Sequence, residues 1–311
     1  MQTSDPDVHT MTFGTTSPLR VRGRKWSSDK TFKLLLELSD GHCIECVAMA
    51  MPTCMTVCLS TQVGCALGCR FCSTGQSGFI RNLSGSEILR QLGTIAHELE
   101  QTAGVRPARV VFMGMGEPLL NEEALNAGLL HLAKAARISW RKILVSTVGI
   151  PDALERLGAS RMALPAISLH AADQELRNFL MPGVRQWPLQ DLLHALERYP
   201  LPGRERIVIE YIMLRAVNDD TEHADMLHAL LRELRVKINL IPCNPVPGSA
   251  FAPSTPQAID AFAQRLRQHG RSVFVRRSLG SDILASCGQL RGHIGSAMHF
   301  DTSATISEVC T

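Results

Sequence analysis

Three thiols stand close together in Cys65-Ala66-Leu67-Gly68-Cys69-Arg70-Phe71-Cys72, at spacings of four and three residues. A closed structural zinc site takes four protein ligands, commonly from two separated Cys/His pairs, and no second pair lies nearby at a suitable spacing. Three thiolates on a [4Fe–4S] cluster leave one iron open to bind and activate a small molecule. Two blander readings stay open: buried structural cysteines, or a three-cysteine zinc site completed by a distant ligand. In an otherwise plain intracellular sequence, metal binding or catalysis is the default use of such thiols.

The elements that must position this loop are read from periodicity. Thr31 to Leu38 and Cys43 to Met49 flank Ser39-Asp40-Gly41, the pattern of two strands joined by an Asp-Gly turn. From Thr56 onward, strand-like runs recur at 56–60, 108–113, 142–146, 163–169, 207–214, 236–241 and 272–275. Segments of helical period lie between them at 84–100, 122–136, 222–234 and 256–269, the first with Ser84 or Ser86 as N-cap. Strands separated by helices predict parallel pairing through right-handed crossovers, hence an α/β fold with a partial (β/α)6 barrel and a short N-terminal β-hairpin extension. The expected boundaries are a loose arm over 1–29, the hairpin over 30–55, the barrel with a C-terminal loop over 56–292, and a flexible tail over 293–311.

In such barrels the active site forms from loops at the carboxyl ends of the strands. The unusual residues fall there: the thiol loop after the first barrel strand, Gly114-Met115-Gly116-Glu117-Pro118 after the second, Ser146-Thr147 at the third, Ser168-Leu169-His170 at the fourth, and Cys243-Asn244-Pro245 at the sixth. Each alone is compatible with ordinary turn chemistry. Their joint occurrence at one face is not.

Composition narrows the class. The chain has 311 residues, 45% hydrophobic, enough for a substantial core, and carries ten cysteines. It opens on a polar run with no signal peptide, contains no apolar stretch near the ~18 residues of a membrane span and shows no lipidation motif, so the expected compartment is the cytoplasm, where thiols stay reduced. The net charge of +3 does not by itself predict nucleic-acid binding. Basic runs at Arg20, Arg22, Arg24 and Lys25, at Arg137, Arg141 and Lys142, and at Arg276-Arg277 are either phosphate contacts or solvated faces.

Several separate stretches then coincide: Cys58 to Cys65, the thiol loop, Phe79 to Leu83, Met113 to Asn121 and Ser281 to Leu290. Together they resemble the radical S-adenosylmethionine (SAM) adenosine methyltransferases of RNA, a family containing the carbon-2 methyltransferases of ribosomal and transfer RNA and their carbon-8 antibiotic-resistance relatives. Met113-Gly114-Met115-Gly116-Glu117 followed by Pro118-Leu119-Leu120 is closer to the carbon-2 branch. The resemblance implies that Cys65, Cys69 and Cys72 hold the cluster. It places Gly116, Glu117, Ser146, Ser168, Leu169, His170 and Asn244 around SAM, two molecules of which are used per turnover. Cys287 is implied to carry the methyl group, Cys58 to release the product through a disulfide, and Glu45 to accept a proton. Family members carry a helical accessory domain ahead of the hairpin, and only about twenty loose residues stand there in this chain, so RNA gripping is expected to differ.

The implied chemistry meets a specific difficulty: an adenine carbon between two nitrogens is electron-poor and cannot attack SAM's methyl group as an ordinary nucleophile. A radical route avoids this. The implied partners are ribosomal or transfer RNA and an electron donor such as flavodoxin or ferredoxin, with a monomeric protein and no membrane. The competing functions are a radical-SAM enzyme on another RNA or nucleotide, and an iron–sulfur or zinc RNA-binding protein without activity, for which two further cysteines and Glu45 have no use. Without the resemblance, Cys58 and Cys287 read as buried inert thiols and Glu45 as a solvent-facing strand residue. Cys43 and Cys46, three apart on a strand, point to opposite faces.

Overall fold

A run of four antiparallel strands leads into the sheet: β1 (Arg20–Trp26), β2 (Phe32–Glu37), β3 (Cys43–Met51) and β4 (Cys54–Cys58). The computed structural model describes residues 17–246 and 248–292. The expected tail, 293–311, and Cys310 within it lie outside those residues, as does most of the expected arm. The arm itself ends earlier than expected, because Arg20–Trp26 is a strand. Its alternating cations are matched on neighbours: Arg20 and Arg22 reach Glu37 at 3.2 and 2.7 Å, and Arg24 reaches Glu98 at 2.6 Å. Trp26 stacks on Phe32 with ring centroids 4.3 Å apart. The charge run thus conceals a half-buried strand, and it is not a free basic arm.

After β4 come β5 (Gln62–Gly64), α1 (Ser73–Gln76) and β6 (Phe79–Asn82), a small hairpin around the thiol loop. Then follow α2 (Gly85–Ala103), β7 (Pro107–Phe112), α3 (Glu122–Lys134), β8 (Ile143–Thr147), α4 (Pro151–Ser160), β9 (Leu164–Ser168), α5 (Gln174–Leu180), α6 (Leu189–Glu197), β10 (Ile207–Met213), α7 (Thr221–Leu230), β11 (Val236–Pro242), α8 (Pro256–Gln268) and β12 (Val273–Val275). The large sheet runs β1-β2-β3-β4-β7-β8-β9-β10-β11-β12, parallel from β4 onward. The two edges do not pair, so this is an open, partial barrel with the antiparallel strands as its extension. β4 belongs to both parts: it starts at Cys54, inside the expected hairpin, and pairs with β3 on one side and β7 on the other.

Local chemistry sets the helix ends. Ser84 caps α2 through a reciprocal pair with Glu87, and Gly104 closes it in the left-handed conformation. Asp173, Asp220 and Thr255 cap α5, α7 and α8 with their side-chain oxygens. The central strand β10 is buried on both faces, as a parallel strand under helices must be, while the edge strand β12 leaves Phe274 and Val275 exposed. Among the described residues no helix is long and apolar enough to cross a membrane.

Candidate active site

The parallel strands aim their carboxyl ends at one cavity of about 290 Å³. Its wall contains Cys58, Cys65, Cys69, Cys72, Gly116, Glu117, Ser146, Ser168, His170, Asn244 and Cys287. The two expected site residues that do not line it are Leu169, which is 1% exposed, and Glu45.

The thiol loop is fixed by backbone contacts on its outer side. Arg70 N donates to Leu180 O and Gly183 N to Leu67 O, each at 2.9 Å. Glycine is required at two contacts: a Cβ at Gly75 would lie 2.7 Å from Cys69 N, and one at Gly183 would lie 2.6 Å from Leu67 Cα. All described cysteines are free, so no disulfide is present, including between Cys58 and Cys287. Burial is the main reason the Cys65 thiol is pushed up to about 12 and the Cys69 thiol is raised well above its usual range. Such thiols stay protonated until a cation takes their place. Three free thiols of one loop on the wall of one cavity are a donor set that fits the three-thiolate ligation of a [4Fe–4S] cluster.

The glycine-rich turn after β7 packs against residues 59–62, which join β4 to β5. A Cβ at Gly114 would meet Ser60 Oγ at 2.6 Å, and Gly116, at φ +98°, would meet Gln62 Cβ at 2.5 Å. Glu117 is buried, and its two oxygens accept from Leu119 N at 3.0 Å and Val148 N at 2.9 Å. Burial outweighs these bonds and pushes its carboxyl up to about 7. Ser146 and Ser168 face each other with hydroxyls 3.3 Å apart. His170, in the left-handed region at φ 62°, is neutral: its Nδ1 accepts from Ile212 N at 3.1 Å, and burial, helped by the Arg177 charge, lowers it to about 3.

Cys58 is the last residue of β4, and burial raises its thiol to about 12, with Cys287 as the next contributor. Cys287 lies in the segment after β12; it is exposed yet lines the cavity, and the surrounding protein raises its thiol too. Asn244 Nδ2 donates to Cys287 O at 3.1 Å, and Gln289 Nε2 to Pro245 O at 2.9 Å, tying that segment to the end of β11.

Glu45 is a correction to the solvent-facing reading. It is 4% exposed on β3, on the face it shares with the cavity-lining Val47 and Met49. Lys33 Nζ lies 2.8 Å from Oε1, and Oε2 accepts from Arg291 N at 2.7 Å. The amides of residues 291 and 292 thus occupy Glu45 Oε2, and Leu290 beside them lines the cavity. The sequence reading also passed over Lys33, Arg177 and Glu210. Lys33 interrupts the run Phe-Lys-Leu-Leu-Leu, whose near-continuous apolar character marks a strand covered on both faces. Arg177 is 1% exposed, with one donor on Val148 O and a partnerless Nε. Glu210 lines the cavity, bonded to Asn239 at 2.9 Å, and burial raises its carboxyl. Of the basic runs, Arg276-Arg277 faces the cavity, whereas Arg141 pairs with Glu205 at 3.0 Å and stacks on Trp140.

The sequence pattern of the Radical SAM superfamily matches residues 59–227. The chain is 44% identical over 279 residues to the "Dual-specificity RNA methyltransferase RlmN" of Syntrophobacter fumaroxidans, covering 89% of this chain and 81% of that protein. It is 45% identical over 282 residues to the "Probable dual-specificity RNA methyltransferase RlmN" of Moorella thermoacetica, covering 88% and 80%. The crystal structure of a radical SAM methyltransferase from Sphaerobacter thermophilus superposes with a TM-score of 0.86 at 39% identity, covering 89% of this chain and 82% of that one.

Proposed function

The chain belongs to the radical SAM superfamily and, within it, to the RNA methyltransferases named RlmN, and from that premise we propose that it methylates carbon 2 of adenosine in ribosomal and transfer RNA. The observation that carries this reading is the placement of two further thiols, Cys58 and Cys287, on the wall of the cavity that the three-thiol loop also lines.

Enzymes of this superfamily use a [4Fe–4S] cluster and SAM, which when bound supply a methyl group and, after one-electron reduction, a carbon-centred radical. Cys65, Cys69 and Cys72 hold the cluster. Gly116 lets the backbone approach SAM, while Glu117, Ser146, Ser168, His170 and Asn244 surround it and Leu169 contributes main chain. Cys287 gives up its thiol proton and accepts a methyl group on sulfur. The radical that the bound cofactors would supply would remove one hydrogen atom from that S-methyl group, the S-bound carbon would add to the ring carbon, and the adduct would give one electron back to the cluster as Glu45 takes the ring-carbon proton as general base, which needs proximity as much as basicity. Cys58 thiolate then attacks the sulfur of Cys287. The S–S bond forms as the S–C bond breaks, its electron pair stays on carbon, and protonation there gives the methyl product. The disulfide between Cys58 and Cys287 is therefore a transient of turnover and not a resident bond.

Arg276 and Arg277, at the cavity mouth, are placed to meet RNA phosphates. The one-electron donor is a small redox protein such as flavodoxin or ferredoxin, and the reduced thiols suit the cytoplasm. The test is mass spectrometry of nucleosides from RNA of cells with and without the gene. A 2-methyladenosine signal lost on deletion and restored by the wild-type gene is expected; an unchanged signal, or 8-methyladenosine in its place, would overturn the reading.

A further inference from the structure

Lys33 is 1% exposed, and its ammonium makes two contacts: 2.8 Å to Glu45 Oε1 and 3.0 Å to the carbonyl of Leu284. The first joins adjacent strands diagonally, since Lys33 pairs with Val47 and Leu35 with Glu45 in the β2–β3 register. The second crosses to the C-terminal segment, three residues before Cys287. The other carboxylate oxygen of Glu45 accepts from the amides of Arg291, at 2.7 Å, and Gly292, at 3.3 Å, a few residues after Cys287. Thus Lys33 and Glu45 together grip the segment on both sides of the thiol.

A buried ion pair is a poor way to gain stability, because desolvating two charges offsets much of their attraction, and its better-attested use is to fix one arrangement among several. Here the pair fixes the relation between a carboxylate on β3 and a thiol-bearing segment that follows β12. Of the two, only Lys33 touches both the carboxylate and the segment's amino-terminal side. We propose that Lys33 is a positioning residue for the methyl transfer, holding Glu45 and the Cys287 segment as one unit. The inference rests on the reading above in which Glu45 accepts the ring-carbon proton.

In the assembled state the Arg291 and Gly292 amides occupy Glu45 Oε2, so the carboxylate turns to substrate only when residues 290–292 withdraw. Lys33 stays on Oε1 through that withdrawal and keeps Glu45 oriented along the cavity face of β3. Lys33 also holds Leu284, so the segment pivots there instead of detaching. A lysine stem from β2 suits this double contact because three donors radiate from one nitrogen.

The experiment uses reconstituted holoenzyme with SAM, a reductant and substrate RNA, comparing wild type with Lys33→Met, Lys33→Arg, Glu45→Gln and the double variant Lys33→Met/Glu45→Gln. Three quantities are read: S-methylation of Cys287 by intact mass, the covalent protein–RNA adduct on denaturing gels, and amide hydrogen exchange over residues 284–292. Lys33→Met is expected to methylate Cys287, accumulate adduct with product release slowed about tenfold or more, and exchange faster over 284–292, as loss of a buried anchor requires. Lys33→Arg is expected to restore release to within about threefold of wild type, because a guanidinium can also serve two acceptors.

Because Lys33→Met leaves Glu45 buried without its counter-charge, it is the variant at risk of misfolding. The double variant removes both charges and is expected to fold, exchange faster over 284–292, and stall as adduct. Wild-type exchange in the double variant, or wild-type release in a folded Lys33→Met, would overturn the proposal. The two levels separate: free turnover by Glu45→Gln sinks the base assignment itself, whereas a stalled Glu45→Gln beside an unstalled Lys33→Met sinks only the role of Lys33.

Discussion

The side-chain amide of Asn244 holds the carbonyl of Cys287 at 3.1 Å, so the loop after β11 and the exposed thiol segment move together. Asn244 is buried, and Gln289 repeats the connection two residues beyond Cys287 by donating to Pro245 O at 2.9 Å. Asn244→Ala should slow methylation of Cys287 by about five- to tenfold, the effect of losing roughly 1 kcal/mol of positioning from one hydrogen bond. Intact-mass time courses at saturating SAM measure this, with iron content unchanged. A wild-type time course would show that Gln289 alone orients the thiol.

The thiols divide by task, and iron content separates them from methyl transfer. Cys69→Ala should lose the cluster and reductive cleavage of SAM together. Cys287→Ala should keep full iron and yet give no methylated RNA, since its sulfur lies outside the 65–72 loop. Zinc without iron in anaerobically reconstituted wild type, or methylated RNA from Cys287→Ala, counts against this division.

Acid should find out His170. Its folded value of about 3 lies below the ordinary 6.5, because burial disfavours the charged ring and the nearby Arg177 charge adds to that. Between these values the unfolded chain binds the extra proton. The contribution of neutral His170 is therefore complete above pH 6.5 and declines as pH falls, by up to about 1.4 kcal/mol per pH unit. Urea unfolding of the apoprotein from pH 7 to pH 4 should show that slope, and His170→Gln should flatten it. Equal slopes in the two proteins would mean that the imidazole stays accessible to protons.

Much of this molecule was readable from spacing. The parallel strands, the Asp-Gly hairpin and the Ser84 cap follow from local rules, and the family motifs brought the expected ligands to one cavity. What was not readable depends on long-range pairing. Nothing local says that the Arg20 to Lys25 run finds Glu37 and Glu98 and becomes a strand. Glu45 alternates like a surface residue, and only Lys33 and the distant amides at 291 and 292 make it buried. Nothing local marks Arg177 on the seven-residue helix α5 as buried, because its side chain's hydrogen-bond partner, Val148 O, is distant in sequence. The strand expected over 56–60 runs from Cys54 to Cys58, so Cys58 closes it instead of standing in its middle, a shift of two positions at each end.

The proposed chemistry turns on the two cavity thiols acting in order, and Cys58→Ala isolates the last step. Cys58 ends β4, Cys287 lies on the facing segment, and both line the cavity. To form the resolving disulfide their Cα atoms must come within roughly 4.4–6.8 Å. Incubated with SAM, reductant and substrate RNA, the Cys58→Ala holoenzyme should methylate Cys287 and then accumulate as a covalent protein–RNA adduct, visible as a shifted band on a denaturing gel. Nuclease digestion and mass spectrometry should place a methylene-linked adenosine on Cys287. Free turnover by Cys58→Ala, with no shifted band at any time, would contradict the thiol-bridged route.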